Sequence, residues 1–362
     1  MALELSKRSW RILCSAGGVK TFERTMVPND AAALREFLRR VKKKLGLGED
    51  APVLSCCEAG RDGFWVHRFL EREGVKNIVV DPASMKVSRR GRRAKNDRID
   101  VRQLLRDLVR FYRGDDDVWR VVRVPSEEDE DDRRPHRELA RLKKERVQHR
   151  SRILSLLATQ GVRVQGDLMV FLERLDRQKI WNGEPLPRHL KAEIEREHAR
   201  LELVESQMRM IQAYQRESVK EAKTEKLAKV KKLQGLRGIG IDSAWVIAME
   251  HLAWRKFSNR REVAGSVGLV GTPYDSGEME REQGISKAGN ALVRARLIEL
   301  AWLWLRYQPR SDITIWYRRR FGEAGTRSRK RGIVAVARKL LIELWHYVEH
   351  DVVPPGAIVT GS

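Results

Sequence analysis

Pro52-Val-Leu-Ser-Cys56, running into Cys57-Glu58-Ala59-Gly60, has the pattern of a buried strand: a short apolar run bounded by turn residues. Phe64 to Glu73 follows at helical spacing and is stopped by Gly74, and Asn77-Ile-Val-Val80 is a second strand, ended by Asp81-Pro82. Upstream, Trp10 to Cys14 and Lys20 to Val27 are strands joined by the Ser15-Ala-Gly-Gly18 turn, a hairpin signal. Asn29-Asp30 supplies an N-cap for an amphipathic run with Leu34, Phe37, Leu38 and Val41 on one face. Downstream, Ile99 to Tyr112 is a helix carrying Leu104, Leu105, Leu108 and Phe111, and Val118 to Val124 closes the series as a strand. A strand hairpin followed by alternating strands and helices is the order of an α/β domain with a mixed sheet, here over residues 1–125. Such sheets place their sites at the carboxyl ends of strands, where Glu58 falls.

Four acidic positions in this segment suggest chemistry: Glu4 and Glu58 at the ends of strand-like runs, and Asp97 and Asp100 at the start of a helical pattern. Three residues apart on a helix, the two aspartates share one face within about 5–6 Å. If the four carboxylates converge, their repulsion needs neutralising, and a hard divalent cation bound through oxygens would do it. Paired metals are the usual device for displacing phosphate oxygens.

The whole chain of 362 residues carries a formal charge of +23, from 73 Lys and Arg against 50 Asp and Glu. That surplus suits a polyanion, and without a long uncharged apolar run the expected polyanion is nucleic acid and not a membrane surface. No stretch has the length of a membrane span, and the first residues lack the apolar region of a signal peptide. The cysteines, Cys14, Cys56 and Cys57, have no CxxC spacing and read as small buried hydrophobes in a reducing compartment, so a cytoplasmic location is expected.

Glu127-Glu-Asp-Glu-Asp-Asp132 is a solvated acidic run that marks a linker. Beyond it, His136 to Thr159 and His189 to Lys226 are long helical stretches, so residues 126–226 read as linker plus arm. Ile194, Leu201, Val204, Met208 and Ile211 keep the three-four spacing of a coiled-coil seam. The seam fits an arm that pairs protomers or spans nucleic acid, and equally a helical hairpin packing on its own chain. Residues 227–352 form a helical, basic C-terminal domain, with 353–362 as a tail. Between Lys226 and Asp351 stand 24 Lys or Arg and 13 Asp or Glu, so about half the charge surplus sits in a third of the chain.

In that domain Leu233-Gln-Gly-Leu-Arg-Gly-Ile-Gly240 resembles a helix–hairpin–helix, with Arg237 at the usual proline place. Gly238 and Gly240 would let backbone N–H groups approach a phosphate, the alternative being a plain turn between helices. Ser286 precedes the run Lys287 to Arg306 and has the spacing of an N-cap. Ser276 sits in Tyr274-Asp-Ser-Gly277 with Arg281 and Lys287 nearby. An exposed serine near cations suits attack on a phosphodiester, but spacing alone favours an ordinary turn residue. His251 lies among Met249, Leu252 and Trp254 and reads as packed, and Trp302, Trp304 and Trp345 read as core. Arg318-Arg319-Arg320 and Arg327-Ser-Arg329-Lys330-Arg331 suit phosphates better than a merely solvated face.

Taken in order, Glu58-Ala-Gly-Arg-Asp-Gly-Phe-Trp65, Val80-Asp-Pro-Ala83, Arg93-Ala-Lys-Asn-Asp-Arg-Ile-Asp100, Gly235-Leu-Arg-Gly-Ile-Gly240, Gly268-Leu-Val-Gly-Thr-Pro-Tyr-Asp-Ser-Gly277 and Ile285-Ser-Lys-Ala-Gly-Asn290 run over nearly the whole chain. This series resembles the transposases of the insertion-sequence one-ten family, the bridge-RNA-guided serine recombinases. The resemblance implies an RNase H-like (RuvC-like) domain whose four acidic residues bind Mg2+, a coiled-coil arm, and a mainly α-helical transposase domain with a helix–hairpin–helix-like element. By position, Glu58, Asp97 and Asp100 take the second to fourth acidic places. Ser276 takes the nucleophile's place, against the turn-residue role that spacing alone favours. The implied partners are target and donor DNA, a non-coding guide (bridge) RNA, and further copies of the chain, since the family joins both halves into one active site across protomers. At the first acidic place the family's aspartate is replaced by Glu4, preceded only by Met1-Ala-Leu3. A longer carboxylate on so short a strand is expected to fit magnesium poorly. The rival readings are a metal-dependent junction resolvase or nuclease, which would need no Ser276, and a non-catalytic nucleic-acid-binding protein.

Overall fold

A computed structural model describes residues 1–17, 21–85, 97–276 and 279–360; the side chains of residues 83, 97–99 and 272–283 lie outside that description. The chain divides into two compact units, Met1–Ser126 and Glu127–Ser362, with the division at the edge of the acidic run.

The first unit is a five-stranded mixed sheet. Strands β1 (Ala2–Leu5), β2 (Trp10–Ser15), β3 (Thr21–Met26), β4 (Val53–Glu58) and β5 (Val75–Val80) lie in the order β3-β2-β1-β4-β5. The β1–β2 and β2–β3 pairs are antiparallel, and β1–β4 and β4–β5 are parallel. Helix α1 (Ala31–Leu45) begins where expected: the Asp30 carboxylate accepts from Ala33 N at 2.8 Å, and Leu34, Phe37 and Val41 are buried. Helices α2 (Gly63–Arg72) and α3 (Asp97–Tyr112) complete the layers. Because side chains alternate across a strand, the sheet builds two cores. Leu3, Ile12 and Cys57 pack with residues of α1 and α2 on one face, while Ala2, Leu13 and Cys56 pack with Val101, Leu104 and Leu108 of α3 on the other.

Two expectations for this unit change. Val118 to Val124 is not a strand: a single bridge, Val80 to Val121, joins it to the sheet. And β1, expected to be a marginal stub, is the central strand, paired on both sides. Its order is extended to the first residue, since Met1 donates its ammonium to Leu54 O at 2.8 Å and accepts from Cys56 N at 3.1 Å.

In the second unit the acidic run is a short helix, α4 (Glu127–Asp131), and is not merely solvated: Lys226 pairs with Asp129 at 2.8 Å and Asp132 at 2.7 Å. Helices α5 (Arg134–Ala158) and α7 (Arg188–Glu221) form the arm as a hairpin, with α6 (Leu168–Glu173) at its far end. Ile194, Leu201, Val204 and Met208 are buried against Ile153, Leu157, Leu139 and Leu142, so this seam is used within the chain. Helix α8 (Glu225–Gln234) leads to α9 (Ile241–Ile247), a π-helical turn (Ala248–Leu252) and α10 (Arg260–Gly265). A β-hairpin, β6 (Gly271–Ser276) and β7 (Met279–Ile285), then precedes α11 (Ala291–Tyr307), α12 (Asp312–Phe321) and α13 (Thr326–His350). Val230, Trp245, Leu297, Trp304, Val336 and Leu340 share its core; Trp345 is also buried, but Trp302, expected inside, is 51% exposed. The tail is not loose: Thr360 N donates to Gly235 O at 2.7 Å and Arg237 N to Ile358 O at 3.0 Å.

Candidate active site and nucleic-acid interface

In the first unit, strand register places Glu4 and Glu58. Ala2 is opposite Cys56 and Leu3 opposite Cys57 in a parallel pair, so continuing the register sets the two glutamates side by side. Both alternate with Leu3 and Cys57 and therefore belong to the α3 face. Gly63 admits this end of β4: a Cβ there would lie 2.4 Å from Glu58 O.

Helix α3 runs antiparallel to the parallel strands. Near its end, Tyr112 receives Lys76 Nζ at 5.8 Å from the ring centre, close to the start of β5, and Leu104 O accepts from Cys56 Sγ at 3.7 Å. From Leu104 back to Asp100 is about 6 Å of helix at 1.5 Å per residue. From Cys56 forward to Glu58 is about 6.6 Å of strand at 3.3 Å per residue. Asp100 is thus carried to the level of Glu58, and Asp97 lies one turn further along the helix. Asp81, just beyond β5, is a further carboxylate at this edge that the sequence reading treated only as a strand end.

Glu4, Glu58 and Asp100 offer only oxygen donors, which suits a hard cation in chemical type. Among the described residues, however, no group of three or more His, Cys, Asp or Glu is close enough to hold a metal ion. The side chain of Asp97 lies outside the described residues, as do the backbone and side chains of Arg93 to Asn96. The three cysteines nearby are buried and free, and burial pushes the Cys14 thiol up to about 11 and Cys57 to about 12, so they offer no thiolate at neutral pH.

In the second unit, Ser276 ends β6 and is paired with Met279, at the tip of the hairpin; Gly277 and Glu278 lie outside the described residues. Arg281 lies on β7 opposite Tyr274, and the side chains of Ser276 and Arg281 are outside the description. Ser276 is thus carried at the end of a strand of a two-stranded antiparallel ladder. Lys287 is exposed at the base of the hairpin with φ +56°, and its N–H donates to Gly268 O at 3.2 Å. Ser286 is not the helix cap. Helix α11 begins at Ala291, and Asn290 Oδ1 accepts from Leu292 N at 3.0 Å and Val293 N at 3.2 Å. The longer loop arises because Ser286 N is engaged by Val270 O at 2.9 Å, continuing the hairpin's pairing.

Helix α8, the turn through Gly235 to Gly240, and helix α9 follow one another over the glycine-rich stretch. Gly238 has φ +92° and packs on Tyr307, whose Cβ is 3.0 Å from where a Cβ would lie, so its glycine serves conformation and packing. Gly240 precedes α9 as its N-cap with open space around it. The tail lies on the same turn through Gly235 and Arg237.

Arg318, Arg319 and Arg320 form the exposed last turn of α12, and Arg329, Lys330 and Arg331 are exposed at the start of α13. Arg329 donates to Gly322 O at 3.0 Å, joining the two basic runs across a four-residue turn whose carboxylate is Glu323. Cations in the first turn of α13 oppose the helix dipole, an arrangement that favours a bound anion.

What the sequence reading missed is a buried polar network. Glu250, on the π-helical turn, accepts from His136 Nε2 at 2.7 Å, Arg137 Nε at 2.6 Å and Nη2 at 2.9 Å, and Asn290 Nδ2 at 2.9 Å. These hydrogen bonds hold its carboxyl well below the usual range against the opposing effect of burial. Its partners are 113, 114 and 40 residues away, so no local spacing could reveal it.

Among the described residues, no helix is long and apolar enough to cross a membrane. Residues 230–314, from α8 into α12, match the family model described as Transposase IS116/IS110/IS902 family. A protein of Sinorhizobium fredii (strain NBRC 101917 / NGR234) named "Putative transposase y4rJ" is 42% identical over 373 residues, spanning 99% of this chain and 94% of its own length. A second from the same strain, "Putative transposase y4qE", is 28% identical over 77% of this chain and 64% of its own length. With identity at that level from end to end, the chain belongs to the IS116/IS110/IS902 family of transposases.

Proposed function

We propose that this transposase is an RNA-guided DNA recombinase that cuts and exchanges strands through Ser276. Ser276 Oγ attacks a scissile phosphorus, the bond from phosphorus to the DNA leaving oxygen breaks, and the serine proton is passed on as that oxygen leaves protonated. The product is a phosphoserine link that conserves the bond energy for rejoining to a new strand. The observation that carries this reading is the position of Ser276 at the tip of a hairpin, within the segment 230–314 that matches the family.

The order β3-β2-β1-β4-β5 supports reading the first unit as RNase H-like (RuvC-like). There Glu4, Glu58, Asp97 and Asp100 would hold Mg2+, which when bound supplies charge stabilisation to phosphate oxygens. The basic runs of α12 and α13, with Lys287, Arg281 and the turn at Gly238 and Gly240, would contact phosphates of target DNA, donor DNA and guide RNA. Sequence choice would then rest on base pairing, as in other guided enzymes. Assembly of more than one copy would bring the two kinds of unit together at a shared site.

The test is Ser276→Ala in full-length protein, supplied with RNA transcribed from the DNA flanking the gene and a plasmid carrying that DNA. The expected result is loss of both recombination and the covalent protein–DNA adduct, with binding retained. Cleavage that continues without an adduct would instead identify a carboxylate-only nuclease, and binding with no cleavage by either protein a non-catalytic role.

A further inference from the structure

Two consecutive buried residues of the π-helical turn, Glu250 and His251, each hold one stem of the β6–β7 hairpin. On the exit side, Asn290 Oδ1 accepts from the start of α11 and Nδ2 donates to Glu250 Oε2 at 2.9 Å, so both ends of its amide are engaged. On the entry side, the Ser266 hydroxyl donates to Val263 O at 2.8 Å. Its single hydrogen is thereby used, so the contact of 3.1 Å between Ser266 Oγ and His251 Nε2 is donated by the imidazole. The stems themselves touch backbone to backbone: a Cβ on Gly289 would lie 2.0 Å from Ser266 O, and one on Gly268 would lie 2.2 Å from Ala288 O. Arg294 Nη1 also donates to both stems, to Val267 O at 2.9 Å and Ala288 O at 3.3 Å.

Glu250 reaches the other way as well, to His136 and Arg137 at the base of the arm helix α5. A π-turn inserts one residue into a helix and turns its neighbours out of the usual spacing, a distortion found often at functional positions. Here it directs one side chain to each stem.

We propose that Glu250 and His251 are positioning residues that clamp both stems of the hairpin carrying Ser276 and fasten them to arm helix α5. The clamp sets where the serine is presented, and it makes that placement depend on how α5 is seated. This rests on Ser276 being the nucleophile.

Replacing Glu250 itself would deprive His136, Arg137 and Asn290 of their shared acceptor, so the test uses its partners. Asn290→Ser keeps a good helix cap and leaves His136 and Arg137 on Glu250, yet removes the amide link to it. Ser266→Ala removes the acceptor for His251, and Ser266→Thr restores a hydroxyl. The full-length variants are compared for duplex DNA affinity, melting temperature, recombination of the plasmid with its RNA, and hydrogen exchange of the peptide covering 271–285. Expected for Asn290→Ser and Ser266→Ala are affinity within about twofold of the parent, recombination down by about tenfold, and exchange of the hairpin amides faster by about tenfold, from one lost buried hydrogen bond. Ser266→Thr should recover both. Parent-like exchange in both variants overturns the clamp whatever Ser276 does, and so does parent-like recombination with faster exchange. An adduct that survives Ser276→Ala overturns the nucleophile reading alone, and the exchange profile tells the two failures apart.

Discussion

His251, with its ring wholly buried, donates from Nε2 to Ser266 Oγ at 3.1 Å, and this pair joins the π-helical turn to the segment that leads into the hairpin. Burial, reinforced by the positive charge of Arg255, lowers its pKa to about 3. The imidazole is therefore neutral in the folded protein at any ordinary pH, whereas the unfolded chain protonates it near its ordinary value of 6.5.

The sign follows from proton counting. Between pH 6.5 and 3 the unfolded state binds one more proton at this position, so stability falls as pH falls through that window. The loss should approach about 1.4 kcal/mol for each unit well inside the window. Glu250, whose carboxyl is held low, adds a loss of the same direction that begins only below its ordinary 4.5. Urea unfolding at pH 7.5, 6.0 and 5.0 should show this fall, and His251→Gln, which keeps a donor but cannot titrate, should flatten it by up to one proton. An unchanged slope in that variant would mean that the acid sensitivity arises elsewhere.

Glu58→Gln and Asp100→Asn remove charge at nearly constant volume on the surface end of the sheet. Folding should survive, with melting within a few degrees of the parent, and strand cleavage should fall by at least about a hundredfold, as for groups that act on transition-state charge. The dependence on added Mg2+ should weaken in parallel. Wild-type cleavage by Asp100→Asn at low magnesium would make the acidic group structural.

Glu4 tests arm length alone, because its strand is central and doubly paired. A carboxylate one methylene longer than aspartate fits the strict octahedron of magnesium less well than looser manganese coordination. Glu4→Asp should therefore raise activity in magnesium and lower the ratio of manganese to magnesium activity. Identical ratios for the two proteins would show that the glutamate serves as well as an aspartate.

Arg318, Arg319 and Arg320 stand exposed beside the basic start of α13. Replacing all three with Gln should reduce the slope of log affinity against log salt by up to about three, one for each phosphate left without its cation. Fluorescence anisotropy with a labelled duplex at several salt concentrations measures it. An unaltered slope would place this corner off the binding surface.

Leu201 is completely buried at the centre of the arm seam, packed with Ile153 and Leu157. Leu201→Ala should cost about 2–5 kcal/mol in denaturant unfolding of the second unit, as for other buried leucines. The first unit should unfold as before, since it has its own cores.

Local patterning carried most of the elements because it is a property of neighbouring residues. The β4–α2–β5 unit, the Asp30 cap, the arm seam and the helical C-terminal half all follow from apolar period and capping chemistry, which act within a few residues. The two compact units, Met1–Ser126 and Glu127–Ser362, divide at the start of six consecutive carboxylates. Where local signals competed, the reading slipped: Ser286 had the spacing of a cap, but pairing of its N–H with Val270 O moved the helix start to Asn290. Trp302 had helical spacing with Trp304 but faces outward, since period alone does not say which stripe meets the core.

Tertiary structure alone decided the rest. The middle place of β1, the level of Asp100 beside the end of β4, and the meeting of Glu250 with His136, Arg137 and Asn290 depend on strand order and helix direction. Those are set by how whole faces are buried, between residues dozens to more than a hundred positions apart. Composition determined the surplus of positive charge; only folding determined which charges are paired inside the protein, as Arg137 is with Glu250, and which are left at the surface.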